Sequence, residues 1–265
     1  KAGLLTTPGG VERNVTILFS DVRGFTRMSE AFTPTEIVTQ LNEYLSKMVE
    51  QVFQKRGLVD KFIGDAVMAL WGATRSKQEN AQDGGDAGNA LSAALGMREA
   101  LKALNAHWKE RGMPELAFGI GIHQGPAVVG NIGSEAPYEK MDLTVIGDSV
   151  NLAARLESST KQYGVDIAIS ESVYQHVESD FRCRSVDLVQ VMGKDEAVCV
   201  YTVLGTRATP SPQGIEAYEK GVKEYRNGQF STAKSDFNQA AEEGLDDYLT
   251  QTYQERCAAL IESPP

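Results

Sequence analysis

Leu58-Val-Asp-Lys-Phe-Ile-Gly-Asp-Ala-Val-Met-Ala-Leu-Trp71 decides how this chain folds. Two short β-rich runs, Leu58–Ile63 and Ala66–Trp71, flank the pair Gly64-Asp65, which is the pattern of a tight β-hairpin. Upstream lies a helix signal. In Thr33-Pro-Thr-Glu36 the Thr caps, Pro takes the first helical position and Glu completes a capping box. Ile37, Leu41, Tyr44, Leu45, Met48 and Val52 then recur at helical spacing until Gly57 stops the helix. Before it, Val15-Thr-Ile-Leu-Phe-Ser20 reads as a buried strand.

Downstream of the hairpin, a second long helix is expected from about Ala87 to Arg111, with Leu91, Ala94, Leu95, Leu101 and Leu104 towards the core. Strands near Leu116–His123 and Ala127–Ile132 follow, and Gln124-Gly125-Pro126 is expected to turn the chain between them. The order strand, helix, two strands, helix, strand predicts an α+β protein with a ferredoxin-like βαββαβ core and extra strands. Those extras are strands near Leu143–Ile146, Asp166–Ile169, Phe181–Val189 and Ala197–Leu204. A helix near Val150–Ser158 and a short one after Ser170 lie among them.

Residues 1–204 thus form one expected domain, and Gly205–Gln213 is a linker by composition. Residues 214–265 are expected to be a C-terminal α-helical hairpin. Gly221, Gly228, Phe230, Ala233, Phe237 and Ala240 match the small and aromatic positions of one tetratricopeptide-type repeat, and a plain amphipathic hairpin fits them too. A single repeat cannot bury its own face. The tail therefore either packs on the domain or begins a longer array.

Composition narrows the function classes. With 26 basic against 36 acidic residues, net −10, there is no cationic face for nucleic acid. A single nucleotide is still accessible if metal ions supply positive charge. Cys183, Cys199 and Cys257 are few, odd in number and far apart, which fits a reduced, cytoplasmic protein and shows no metal-ligand spacing. No segment reads as a membrane span: the longest uncharged stretch, 116–134, carries five glycines and Pro126. No signal peptide is visible, and a start at Lys1 suggests a fragment whose upstream regulatory domains lie outside it.

Two aspartates stand out by position. Asp21 directly follows the first strand and Asp65 sits at the hairpin tip, so a ferredoxin-like sheet brings both to one edge. Mg²⁺ typically takes one or two protein carboxylates plus phosphate oxygens, and two such ions activate an attacking hydroxyl and neutralise a leaving oxygen. Either Asp alone is an ordinary turn residue. As a pair, each following an apolar strand, they ask for another account. Between them and the first helix, Gly24 in Val22-Arg-Gly-Phe-Thr26 lets backbone N–H groups approach an anion. On the helix near Val150, Asn151 and Arg155 are i and i+4 and share a face. A guanidinium grips phosphate at two points and an amide holds a sugar oxygen, although a solvated polar face has the same appearance. His123 reads as structural rather than a ligand, and Trp71 and Trp108 as packing or surface residues.

Phe19-Ser-Asp-Val-Arg-Gly-Phe-Thr26, Asp60-Lys-Phe-Ile-Gly-Asp65 and Thr144-Val-Ile-Gly-Asp-Ser-Val-Asn-Leu-Ala-Ala-Arg155 together resemble the class III adenylyl and guanylyl cyclase catalytic domain, over roughly residues 12–204. Within that family the chain is similar to the bicarbonate-responsive bacterial and cyanobacterial soluble adenylyl cyclases. The resemblance implies that Asp21, Asp65 and the Val22 carbonyl hold two divalent cations, Mg²⁺ or Mn²⁺. It implies that Gly24, Phe25 and Thr26 line the phosphates and that Lys61 and Thr144 read the base. Thr144 stands where many adenylyl cyclases carry Asp, a departure typical of the bicarbonate-responsive branch. Asn151 matches the residue that orients the ribose, Arg155 the one that stabilises the α-phosphate, and Lys194 a lysine on the terminal phosphates. The family's sites draw on two subunits, so a head-to-tail homodimer acting on ATP is implied. Two other readings are a non-catalytic nucleotide-sensing homologue and an interaction module built around the tail. The first normally lacks a metal Asp or the Asn/Arg pair, all present here.

Overall fold

The computed structural model describes residues 9–25, 32–74, 85–134, 140–190 and 197–263. Thr26 and Lys194, both expected at the site, lie outside the described residues. The elements are β1 (Gly9–Arg23), α1 (Pro34–Gln54), β2 (Leu58–Ile63), β3 (Ala66–Trp71), α2 (Gly85–Glu110), β4 (Ala117–Ser134), β5 (Lys140–Ile146), α3 (Asp148–Tyr163), β6 (Ile167–Ser170), α4 (Glu171–Val177), β7 (Phe181–Gln190) and β8 (Ala197–Thr206), then α5 (Ile215–Arg226), α6 (Phe230–Glu242) and α7 (Tyr248–Glu262). The eight strands make one sheet in the order β2-β3-β1-β4-β6-β8-β7, with β5 paired to β4. This is the expected α+β architecture.

Local chemistry explains most boundaries. The capping box forms as read, with the Thr33 N–H donating to Glu36 Oε2 at 3.0 Å and the Glu36 N–H to Thr33 Oγ1 at 3.4 Å. The hairpin occupies the residues expected of it, and Gly64 supplies the positive φ of its turn, 65°.

One expectation is overturned. Gln124-Gly125-Pro126 does not turn; β4 runs straight through it as a single strand of 18 residues. The reason is β1, which extends back to Gly9 and pairs with β4 from Gly9↔Asn131 to Arg23↔Ala117. Pro126 falls between Ile122, where β6 stops pairing, and Val128, where β5 begins. There β4 has a ladder on one side only, the situation in which a strand tolerates proline.

The sheet alternates its side chains between two layers. On one face Leu18, Val67, Ala69, Trp71 and Ile120 pack with Tyr44, Met48 and Val52 of α1 and Leu91, Ala94 and Met97 of α2. On the other, Ile17, Leu70, Val129 and Val145 meet Ala153 of α3. α3 lies directly on β4 because Gly121 has no side chain there: a Cβ would clash with the backbone nitrogen of Glu157 and the carbonyl of Ala153. Trp71 and Trp108 are buried and their ring N–H groups donate to the Lys55 carbonyl (2.8 Å) and Glu43 (2.6 Å).

The tail holds the hairpin α5–α6 and a third helix, α7. Of the two outcomes left open for it, the structure has the tail packed on the domain. Tyr218, Val222, Phe237, Leu249, Tyr253 and Cys257 share one buried cluster with Leu152, Leu156 and Tyr163 of α3. Arg184 of β7, only 3% exposed, pairs with Asp247, donates to Thr250 Oγ1 at 2.7 Å and lies 3.7 Å over the Tyr218 ring. Asp187 of β7 accepts from both Tyr163 of α3 (2.9 Å) and Arg256 of α7 (2.7 Å). Strand β7 ends the sheet, and a covered last strand is protected from pairing with other chains.

Candidate active site

β1 delivers Asp21 to the end of the sheet, and the β2–β3 turn delivers Asp65 beside it. Their carboxyl groups meet within hydrogen-bonding reach. Burial, the Asp65 charge and that contact together push the Asp21 pKa up, against a smaller opposing bond from the Val22 backbone. Asp21 so placed is relieved by a cation beside it, which offsets both the burial and the neighbouring charge. Oxygen-only donors, two in number, fit a hard divalent ion that completes its shell with phosphate oxygens. Among the described residues no group of three or more His, Cys, Asp or Glu side chains forms a closed metal cage.

Glu157 of α3 is a third carboxylate that sequence reasoning missed. It lies over Gly119, the β4 residue paired with Asp21. Its pKa is pushed up to about 7 by burial first and by the Asp21 charge second; Ser158 and Arg23 oppose this. Arg23, two residues after Asp21, donates to the Val165 carbonyl in the turn after α3. Tyr44, behind the pair, donates to or accepts from Ser20 at 3.2 Å, and burial holds its phenol above the ordinary range. The mouth of the site follows at Gly24, exposed and in the left-handed region at φ 72°, with Phe25 packed against the core beside it. This is a backbone shaped for close approach.

Lys61 and Thr144 are brought together, although 83 residues separate them in sequence. Thr144 Oγ1 donates to Asp60 Oδ2 at 2.9 Å, and Lys61 Nζ lies 3.4 Å from the same oxygen. Asp60 was legible in the sequence only as part of a motif. Asn151 and Arg155 are exposed on α3, and neither side chain has a hydrogen-bond or ion-pair partner among the described residues. No hydrogen bond or ion pair joins either of them to Asp21 or Asp65 among the described residues. His123 is buried as expected, with Nδ1 2.8 Å from Ser170 Oγ.

The structure thus holds a carboxylate pair at a strand end, a gathered Lys/Thr pair and an exposed Asn/Arg helix face. The family model for the adenylate and guanylate cyclase catalytic domain matches residues 10–205, and the chain belongs to that family. It is 43% identical over 198 residues to an adenylate cyclase of Anabaena cylindrica, covering 72% of this chain and 37% of that protein. The chain thus spans little more than a third of that relative. Among solved structures, the adenylyl cyclase CyaB from P. aeruginosa superimposes with a TM-score of 0.67 at 32% identity, covering 77% of this chain and all of that one. The guanylyl cyclase Cya2 does so at 0.64 and 36%, covering 75% of this chain and 95% of that one. Similarity of this degree extends to cyclases of both base preferences.

Proposed function

We propose that this chain is the catalytic part of an adenylyl cyclase, turning ATP into 3′,5′-cyclic AMP and pyrophosphate at two equivalent sites in a head-to-tail homodimer. In this reading residues 1–204 are the catalytic domain, 205–213 a linker and 214–265 a helical appendage. The observation that carries it is the contact between Asp21 and Asp65, whose crowding calls for cations. Bound there, Mg²⁺ or Mn²⁺ would lower the pKa of the ribose 3′-hydroxyl and neutralise charge on the phosphates.

The rest of the chemistry belongs to side chains of the protein. Asp21, Asp65 and the Val22 carbonyl would hold the ions, and backbone N–H groups from Gly24 to Thr26 would receive phosphate oxygens. The 3′-oxygen bonds to the α-phosphorus as the bridge to the β-phosphate breaks; the proton goes to solvent and pyrophosphate leaves. Asn151 fixes the ribose so that attack is in line, and Arg155 meets the charge that builds on the α-phosphate. A donor of that kind, engaged chiefly in the transition state, is worth ~2.7–4 kcal/mol. Lys194 would steady the terminal phosphates.

The exposed, unpartnered state of Asn151 and Arg155 supports the two-chain arrangement, because these groups are free to face a second copy's carboxylates. Base choice follows from polarity. Lys61 donates to an adenine ring nitrogen but cannot accept from guanine N1–H, and a Thr144 hydroxyl can accept from the adenine amine.

The test is cyclic nucleotide formation by the purified chain with Mn²⁺ and either ATP or GTP, with and without bicarbonate. Cyclic AMP in excess is expected; a clear preference for GTP, or no product from either, would refute the reading. Mixing Asp21→Ala chains with Arg155→Ala chains should restore activity through one intact hybrid site. No recovery in demonstrated mixed dimers would sink the shared-site arrangement.

A further inference from the structure

A hydroxyl is a poor discriminator of bases. It carries one donor and two acceptor lone pairs and rotates to suit its neighbour. Adenine presents an amine at its six-position, a donor; guanine presents a carbonyl oxygen there, an acceptor. Thr144 facing either base freely would bond to both. Something must fix which way its proton points.

Strand β2 supplies that something through an irregularity. Its register against β3 slips between Val59 and Lys61, so Asp60 is an extra residue in the strand. A bulge of this kind re-aims side chains, and such bulges gather next to active sites. In an unbroken strand Asp60 and Lys61 would point to opposite faces. Here both heads converge, with Lys61 Nζ 3.4 Å from Asp60 Oδ2. The Asp60 side chain is wholly buried, while that of Lys61 is 39% exposed. The same Oδ2 takes the Thr144 hydroxyl proton at 2.9 Å. Asp60 Oδ1 is buried with no hydrogen-bond partner. Leaving a buried acceptor unpaired costs ~1–3 kcal/mol, so Asp60 is a poor choice for stability alone. Its position, between the two residues that face the base, points elsewhere.

We infer that Asp60 sets the base specificity of the site by fixing the polarity of Thr144. This rests on the adenylyl cyclase reading above. A carboxylate only accepts, so it draws the single hydroxyl proton of Thr144 inward. What Thr144 then shows the substrate is a lone pair. That lone pair accepts from the adenine amine and repels the guanine oxygen. The same carboxylate keeps the Lys61 ammonium beside Thr144, so donor and acceptor are offered as a fixed pair. Asp60 touches no substrate atom; it positions the two groups that do.

The experiment compares kcat/KM for ATP and for GTP in wild type, Asp60→Leu and Thr144→Val, and in the double variant. Asp60→Leu keeps the size of the side chain and removes the acceptor, which frees the Thr144 proton to donate outward. The ratio of ATP to GTP efficiency is expected to fall about tenfold, the scale of one hydrogen bond. Thr144→Val lowers the ratio too, and adding it to Asp60→Leu changes little further, because both act through one hydroxyl. Asp60→Asn, which can still turn a carbonyl oxygen to Thr144, retains more of the ATP preference than Asp60→Leu. If Asp60→Leu does not fold, Asp60→Ala carries the same expectation with smaller steric demand. A purely structural role would depress both substrates alike and leave the ratio where it was; that result overturns the inference while the cyclase reading stands. If Asp60→Leu lowers the ratio by the same factor in a Thr144→Val background as in wild type, the inference is overturned as well. A wild-type chain that cyclises neither nucleotide removes both.

Discussion

Helix α3 has two sides that live in different worlds. Asn151 and Arg155 project from it exposed and without hydrogen-bond or ion-pair partners among the described residues. Leu152, Leu156 and Tyr163, interleaved with them, are buried under the tail among Tyr218, Phe237 and Tyr253. One side is left exposed to solvent, as the proposed shared site requires. The other is sealed by the apolar faces of α5, α6 and α7, which share its buried cluster. Rigid support behind a reacting group is what keeps its geometry productive. The contrast teaches that chemistry and stability are separable on this helix, turn by turn.

That separation is open to attack. The largest effect on stability is expected behind the helix: Phe237→Ala removes a wholly buried ring and should cost ~3–5 kcal/mol in urea denaturation. In front, Arg155→Ala should lower kcat by ~10²–10³ while moving the denaturation midpoint by no more than ~0.5 kcal/mol. If Arg155→Ala proves as destabilising as the tail variant, the two sides are not independent.

Smaller effects depend on pH. Burial pushes the Asp247 pKa up, but Arg184 and Thr250 pull it further down, so the net shift is downward. Its contribution is therefore present above the ordinary carboxylate pKa of about 3.9 and is lost as pH falls through the lower folded value. Asp247→Asn should lower the Tm at pH 7, and the gap to wild type should narrow as pH falls below the ordinary carboxylate range. Glu157 has the opposite sign. With its pKa raised to about 7, it weakens the metal-free fold progressively as pH rises from the ordinary carboxylate range through 7. Glu157→Gln should accordingly raise the Tm of the metal-free protein at pH 8 and leave it unchanged at pH 4. An equal rise at both values would show that packing, not charge, separates the two.

What the sequence disclosed, and what it hid, follow from range. The capping box at Thr33 and the hairpin around Gly64-Asp65 are local, and both were legible to the residue. The meeting of Asp21 with Asp65 was legible too, since it needs only a strand end and a turn tip at one edge. Gln124-Gly125-Pro126 misled because a turn signal was read without its partner: Gly9–Asn14, polar and glycine-containing, gave no strand pattern, yet it is the ladder that holds β4 straight. Asp60 and Glu157 were missed for a related reason. The burial of Asp60 depends on a bulge that no spacing rule reveals, and the approach of Glu157 to Asp21 depends on Gly119 and Gly121 letting a distant helix descend onto β4.

The long β1–β4 ladder also dictates how the molecule must come into being. β3, one neighbour of β1, is complete once residue 71 has been made, whereas the other lies in residues 117–131. A nascent chain leaving the ribosome therefore carries β1 with one flank bare while tens of further residues are added. Such an edge is a site for mispairing until its partner arrives. The strand that bears Asp21 is thus among the first made, yet its second flank is covered only when a loop of about a hundred residues closes.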